Sequence, residues 1–365
     1  MKIVIACGGS GGHIFPGIAL ASELKRLDSG TEILFIGSDR TLDKRIFEKE
    51  GYEYRVIPYN SMPLKPSFRC LTFLTGLTRA VFYSLGIIRR FNADCVVGMG
   101  GYVSAPVIFA AWLKNVPALI HEQNVVPGLA NSFLSRFARR TAISFKESAA
   151  FFRSGCLHLT GNPIRVGSLK KEREEALKRL GLDPKIFTIL VMGGSQGAHL
   201  LNTLTAEALI EMKEPLRSKT QVIHLAGEKD CERMKAIYDE AGLVNRTYSF
   251  LENISDAYNC ADLAISRSGA ATLFELAYYG RPMILVPYPY ARDHQRENGD
   301  LFKSQGAALL FDERGLSVDI MRSHIEGLMS DRERLQSMSQ NASGLSCPEA
   351  SENLAKMVIE IGGLN

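Results

Sequence analysis

At 365 residues the chain is too long for one typical core, which predicts two domains. Its 43 Lys and Arg against 39 Asp and Glu leave a net charge of only +4, which excludes a generally basic nucleic-acid surface. The 7 cysteines include no C-x-x-C pair, which excludes a disulfide framework and a zinc cluster and predicts buried, reduced thiols in a cytosolic protein; no signal peptide and no apolar run of membrane-spanning length is legible.

Short apolar runs alternate with amphipathic, helix-length stretches. The first half predicts strands at residues 3–7, 33–37, 54–58, 95–98, 118–121 and 141–145, with helices such as 16–27 and 127–139 between them. The pattern restarts with strands at 187–192, 221–225, 263–266, 282–287 and 307–311. Such repeats build right-handed parallel units with helices on both faces. The turn-rich TGNPIRVGS, residues 160–168, followed by the charged KKEREEALKRL, marks a seam. The expected fold class is α/β, with two Rossmann-like doubly wound domains facing across a cleft. The first covers residues 1–163 and the second 164–344, and a C-terminal helix at 345–365 packs back on the first.

Each half opens with nearly the same loop, GGSGGH at residues 8–13 and GGSQGAH at 193–199. Glycines at a first strand-to-helix turn let backbone N–H groups and the helix dipole converge on an anion. Gly8, Gly9, Gly11 and Gly12 read as one phosphate cradle, and Gly193, Gly194 and Gly197 as another. The plainer alternative is that they only make tight turns; two matching copies at two domain starts favour the anion. The dinucleotide fingerprint fails because its third glycine falls on Ile14, and the Walker pattern fails because His13 and His199 stand where its Lys belongs. A third cluster, GMGGYVSAP at 98–106, adds Gly100, Gly101 and Tyr102 beside Gly8 and Gly9 as an expected pyrophosphate pocket.

Two such domains, each with a phosphate loop, fit a nucleotide-sugar glycosyltransferase of the two-Rossmann (GT-B) type. No Asp-x-Asp occurs, so no metal site and no cofactor is expected, and fixed dipoles must carry the leaving-group charge; any Mg²⁺ stimulation would act through a lipid diphosphate. In SRSGAATLFELAYYGRPMILVP, residues 266–287, Thr272 and Glu275 share a helix face. Glu275 is placed to accept from both ribose hydroxyls of a nucleotide; the alternative is a charge that only complements the helix dipole.

GGSGGHIFPG, GMGGYVSAP, IHEQNVVPGLAN, TGNPIR, GGSQGA, SRSGAATLFE and HQREN occur in this order along essentially the whole chain. With these motifs the sequence resembles the MurG family of bacterial peptidoglycan glycosyltransferases. The resemblance implies an inverting transfer, without a covalent intermediate, of N-acetylglucosamine from UDP-N-acetylglucosamine (UDP-GlcNAc). The acceptor is the C4 hydroxyl of undecaprenyl-pyrophosphoryl-MurNAc-pentapeptide, at the cytoplasmic face of the membrane and peripheral to it. It places substrate contacts on Ser10, Gly11, Gly12, Asn124, Arg165, Ser195, Leu251, Ala270, Ala271, Thr272, Glu275 and Gln295. His294 stands where the family tends to have a second glutamine, and Ala271 where it has a larger apolar residue.

His13 is the candidate base for the acceptor hydroxyl, because a histidine titrates near neutral pH. It can equally donate to a phosphate, and a histidine bonded only to backbone is the plain reading. Glu122 is the alternative base, and His121 is expected to be a satisfied core residue. Residues 67–90 mix large apolar side chains with Arg69, Arg79, Arg89 and Arg90 and carry no acid. They suit either an amphipathic element on anionic lipid or a helix of the sheet layer. The rival functions are a diacylglycerol glycosyltransferase, which the HEQN and GNPIR motifs argue against, a UDP-sugar epimerase, and a non-catalytic nucleotide-binding scaffold.

Overall fold

Strands buried on both faces must be apolar throughout, and these runs form two all-parallel sheets. The computed structural model describes residues 1–57, 69–152, 156–164, 173–193, 198–251, 253–289 and 294–363. The chain divides into two units, Met1–Arg165 with Cys347–Asn365, and Val166–Ser346.

The first unit holds β1 (Lys2–Ala6), β2 (Glu32–Gly37), β3 (Glu53–Val56), β4 (Cys95–Gly98), β5 (Ala118–Glu122), β6 (Arg140–Ile143) and β7 (Leu157–Leu159). Its sheet has the order β3-β2-β1-β4-β5-β6-β7, so the winding reverses between β1 and β4. The strands alternate with α1 (Gly11–Leu27), α2 (Thr41–Glu50), α3 (Arg69–Phe91), α4 (Ser104–Leu113) and α5 (Leu129–Leu134). The period of two along β1 divides the core. Ile3 and Ile5 pack with Ile18 and Leu24 of α1, whereas Val4 and Ala6 pack with Ile88 of α3 and Val107 of α4.

The second unit holds α6 (Arg173–Leu180), β8 (Phe187–Met192), α7 (His199–Ile210), β9 (Thr220–Leu225), α8 (Cys231–Glu240) and β10 (Asn245–Tyr248). It continues with α9 (Ile254–Cys260), β11 (Leu263–Ser266), α10 (Ala270–Tyr278), β12 (Met283–Leu285), α11 (His294–Ser304), β13 (Ala308–Leu310), α12 (Val318–Ser330) and α13 (Arg332–Gly344). The strand order β10-β9-β8-β11-β12-β13 reverses between β8 and β11, as the first sheet does between β1 and β4. The last helix, α14 (Ala350–Gly362), belongs to the first unit: Leu354, Val358 and Ile361 join the core of Ile3 and Ile5. Ser351 Oγ also donates to Ile164 O at 3.2 Å.

Several local expectations differ from the structure. The helix expected from Pro16 begins at Gly11, so that Pro16 lies inside it. The helix expected over 127–139 is only Leu129–Leu134. The short edge strands β7 (LHL) and β10 (NRTY) were not expected, because an edge strand needs no continuous apolar run.

Two histidines sit inside the sheets. His224 of β9 lies 2.9 Å from the Tyr238 hydroxyl and 3.1 Å from Asn202 Oδ1. Burial pulls its pKa from 6.5 to about 3 and that of His121 on β5 from 6.5 to about 4. Below pH 6.5 the unfolded chain binds protons that the folded chain refuses, so stability is expected to fall as pH drops from 6.5 towards 4. A urea midpoint that does not move over this range in wild type, or that moves equally in His224→Gln, would contradict this.

Candidate active site

The reversal between β1 and β4 puts three chain segments together at the carboxyl edge of the first sheet, the usual ligand position in an open α/β fold. Ser10 takes an extended conformation (φ −160°, ψ 154°) at the N-cap of α1, so Gly11, Gly12 and His13 form the first turn. The first N–H groups of a helix favour an anion, although that of His13 already donates to Ser10 O at 3.2 Å.

Gly8 and Gly9 serve differently from the expectation. The Gly9 N–H donates to Asp43 Oδ2 at 3.0 Å, and the same oxygen accepts from Ser38 N at 3.1 Å and Ser38 Oγ at 2.7 Å. A Cβ on Gly8 would lie 2.6 Å from that oxygen and 2.9 Å from Ser38 N. These two glycines let the loop close onto α2, and the amide of Gly9 is spent on Asp43 rather than on an anion. Asp43 was invisible as a site residue, since only the fold brings it to the loop.

The loop after β4 lies against the first turn of α1. Gly100 and Gly101 have φ of 89° and 76°, a region that favours glycine. A Cβ on Gly100 would come within 2.9 Å of His13 Nδ1, and one on Gly101 within 2.8 Å of Gly8 O. The Tyr102 ring stands beside Gly9, 3.3 Å from where a Cβ would be. His13 Nδ1 is 3.2 Å from Gln123 Oε1. Gln123, 2% exposed, donates through Nε2 to Met99 O at 2.7 Å and to His121 Nδ1 at 3.1 Å. His121 Nε2 is 3.0 Å from Gly161 O, so both ring nitrogens are satisfied inside the core.

Glu122 does not face the site as an available base. Its Oε1 accepts from Asn124 N at 2.9 Å and Asn124 Nδ2 at 3.0 Å, and its Oε2 from Gly128 N at 3.0 Å and Asn131 Nδ2 at 2.8 Å. Four donors on a carboxylate that is 1% exposed make it the organiser of the loop after β5. Asn124, an expected donor contact, is part of that organisation. Glu122→Gln sets an NH₂ against N–H donors, so it is expected to cost about 1–3 kcal/mol of stability. The kcat per folded molecule should stay within a few-fold. Denaturant titration beside initial rates checks this, and a collapse of kcat at full stability would restore Glu122 as the base.

In the second unit the corresponding edge lies where β8 and β11 diverge. Gly269 is the N-cap of α10, with Ala270 buried and Ala271 and Thr272 half-buried in its first turn. Glu275 follows in the second turn and accepts from the Tyr258 hydroxyl at 2.7 Å. Arg267, 7% exposed, donates to Val286 O at 3.0 Å and Pro287 O at 3.2 Å and pairs with Glu313. Ser268 Oγ donates to Gln295 O at 2.6 Å, and Tyr288 N to Gln295 Oε1 at 2.8 Å. These bonds tie the loops after β11 and β12 to the start of α11, where His294 and Gln295 lie. Leu251 is half-buried after β10. Arg165, Gly194, Ser195 and Gly197 lie outside the described residues. Gln123, Tyr258 and Arg267 were not singled out beforehand, although Gln123 and Arg267 lie inside quoted motifs. No group of three or more His, Cys, Asp or Glu side chains suited to a metal occurs among the described residues.

The family model of the glycosyltransferase family 28 N-terminal domain matches residues 3–143, and that of the C-terminal domain matches residues 188–354. Fold and sequence thus define a two-domain glycosyltransferase of family 28. Two curated relatives are each named "UDP-N-acetylglucosamine--N-acetylmuramyl-(pentapeptide) pyrophosphoryl-undecaprenol N-acetylglucosamine transferase". The one from Geobacter metallireducens is 36% identical over 96% of this chain and 96% of its own. The one from Myxococcus xanthus is 38% identical over 99% of this chain and 93% of its own. The crystal structure of Acinetobacter baumannii MurG superposes with a TM-score of 0.77 at 27% identity, covering 99% of this chain and 100% of that one. The chain belongs to the MurG family. A putative UDP-N-acetylglucosamine 2-epimerase from Listeria monocytogenes, at 15% identity and a TM-score of 0.71, shares the fold alone.

Proposed function

We propose that the chain transfers N-acetylglucosamine from UDP-GlcNAc to the C4 hydroxyl of undecaprenyl-pyrophosphoryl-MurNAc-pentapeptide, in peptidoglycan synthesis. The carrying observation is the 36–38% identity to transferases of that name over nearly the full length. In this reading the second unit holds the donor, with the Glu275 carboxylate, anchored by Tyr258, accepting from the ribose. Contacts also come from Ala270, Ala271, Thr272, Gln295, Leu251, Arg165 and Ser195. The first unit holds the acceptor diphosphate at the first turn of α1 and the loop of Gly100 and Gly101. His13 takes the proton from the attacking hydroxyl as its oxygen bonds the anomeric carbon. The bond to the UDP oxygen breaks, and its electron pair leaves with UDP, so the anomeric configuration inverts. No resident metal is part of this reading.

UDP release from UDP-GlcNAc, with and without a short-chain analogue of the lipid acceptor, tests it. Release only with the analogue, together with a disaccharide product by mass, is expected. Release without the analogue, or binding without turnover, would overturn it.

A lipid acceptor calls for a membrane surface, and α3 offers one. Ala80, Val81, Ser84 and Ile88 face the sheet, while Leu74, Phe82 and Tyr83 are exposed beside the exposed Arg79, Arg89 and Arg90. The buried face fits the sheet-layer expectation, and the exposed face supports the reading of an amphipathic element on anionic lipid. Trp112 and Leu113 of α4 and Leu129 and Phe133 of α5 are also exposed. No described helix is long and apolar enough to cross a membrane. On the resemblance to the MurG family and the exposed face of α3, we read the protein as peripheral, at the cytoplasmic face. Changing Arg79, Arg89 and Arg90 together to Glu is expected to weaken binding to anionic liposomes about 100-fold, at about 1 kcal/mol per basic residue. Flotation that is unchanged would return the arginines to a purely structural part.

A further inference from the structure

We propose that Gln123 is a positioning residue that fixes the Nδ1–H tautomer of His13 and so leaves the Nε2 lone pair to act as the base. This rests on the reading of His13 as the base. The argument runs from the sheet outward. Met99 O can only accept, so the Gln123 group 2.7 Å from it must be the amide NH₂. That same NH₂ is 3.1 Å from His121 Nδ1, which must therefore accept and carry no proton. The His121 proton then sits on Nε2 and donates to Gly161 O at 3.0 Å. The low basicity of buried His121 keeps this ring neutral and the pattern intact.

With its amide oriented in this way, Gln123 turns Oε1 towards His13 Nδ1 at 3.2 Å. An acceptor there requires Nδ1–H on His13, and a neutral imidazole with Nδ1–H carries its lone pair on Nε2. Flipping the amide would set Oε1 against Met99 O. Gln123 is buried, so water does not replace these partners. When Nε2 takes the acceptor's proton, Nδ1–H keeps donating to Gln123, and the imidazolium is held in place. The chain Gly161–His121–Gln123–His13 thus sets the tautomer of a group at the site from the backbone of the core.

The test uses the full-length protein with ¹⁵N-labelled histidine and long-range ¹H–¹⁵N correlation of the imidazoles, the His13 signals being assigned with His13→Asn. Wild type is expected to show His13 with the proton on Nδ1. Gln123→Leu should move it to Nε2 and lower kcat about 10- to 100-fold, with the KM for UDP-GlcNAc within about twofold. Gln123→Glu, whose protonated carboxyl still accepts from His13 but has one O–H for the two acceptors Met99 O and His121 Nδ1, should recover the His13 tautomer and part of the rate. A wild-type His13 protonated on Nε2 overturns the proposal, and so does a Gln123→Leu protein that keeps either its tautomer or its kcat. If Gln123→Leu does not fold, the wild-type tautomer and Gln123→Glu decide. His13→Asn with full kcat overturns the base reading instead, whereas a collapsed His13→Asn beside an unaffected Gln123→Leu overturns the positioning alone.

Discussion

His13→Ala is expected to lower kcat by about 10²–10⁴-fold, the usual contribution of a positioned general base, while the KM for UDP-GlcNAc changes by less than about threefold. The expectation rests on exclusion and on placement. Glu122, the other candidate, is occupied by four N–H donors. His13 stands in the first turn of α1 at the carboxyl edge of β1, with its ring over the backbone of Gly100 and Gly101 and Nδ1 towards Gln123. The split between kcat and KM separates the two parts a histidine can play here. Loss of a phosphate ligand that binds ground state and transition state alike raises KM and spares kcat, whereas loss of a base lowers kcat and spares KM. Initial rates over a range of both substrates give the answer. A raised acceptor KM with kcat intact would make His13 part of the diphosphate cradle.

The fold class was legible because the central strands are buried on both faces and must be apolar along their whole length. β4, β8 and β11 lie where the apolar runs CVVG, FTILVM and LAIS placed them. The edge strands β7 and β10 were not legible, since one flank needs no apolar cover. Backbone constraints were legible where they force a residue type, as at the positive φ of Gly100 and Gly101. What each glycine makes room for was not legible. Gly8 and Gly9 looked the same as Gly11 and Gly12 in sequence, yet they accommodate Asp43 and Ser38, residues some 30 positions further on. Gln123 was hidden for a related reason. Its importance lies in three partners, Met99, His121 and His13, which only the parallel register of β1, β4 and β5 brings together.

Gly100→Ala is expected to remove most of the activity, about 100-fold or more in kcat, and to lower stability by about 1–3 kcal/mol. Two independent costs act at this position. The φ of 89° is one that a residue with a Cβ rarely adopts, which strains the loop after β4. The added Cβ would also meet His13 Nδ1 at 2.9 Å, His13 Cε1 at 3.0 Å and Gln123 Oε1 at 3.2 Å. It therefore wedges between the two side chains whose contact sets the His13 ring. The strain can relax by moving the loop, but the loop carries Gly101, packed on Gly8 O, and Met99 O, which orients Gln123. Either relaxation displaces the base or its support. Gly51→Ala is the control, because Gly51 has a φ of 70° with nothing near its Cβ position. It should lose only the part of the stability that the φ strain costs, and keep its kcat. Thermal melts and initial rates on both variants check this. Equal kcat in the two would mean that the loop tolerates the wedge and that the His13–Gln123 contact contributes little to the rate.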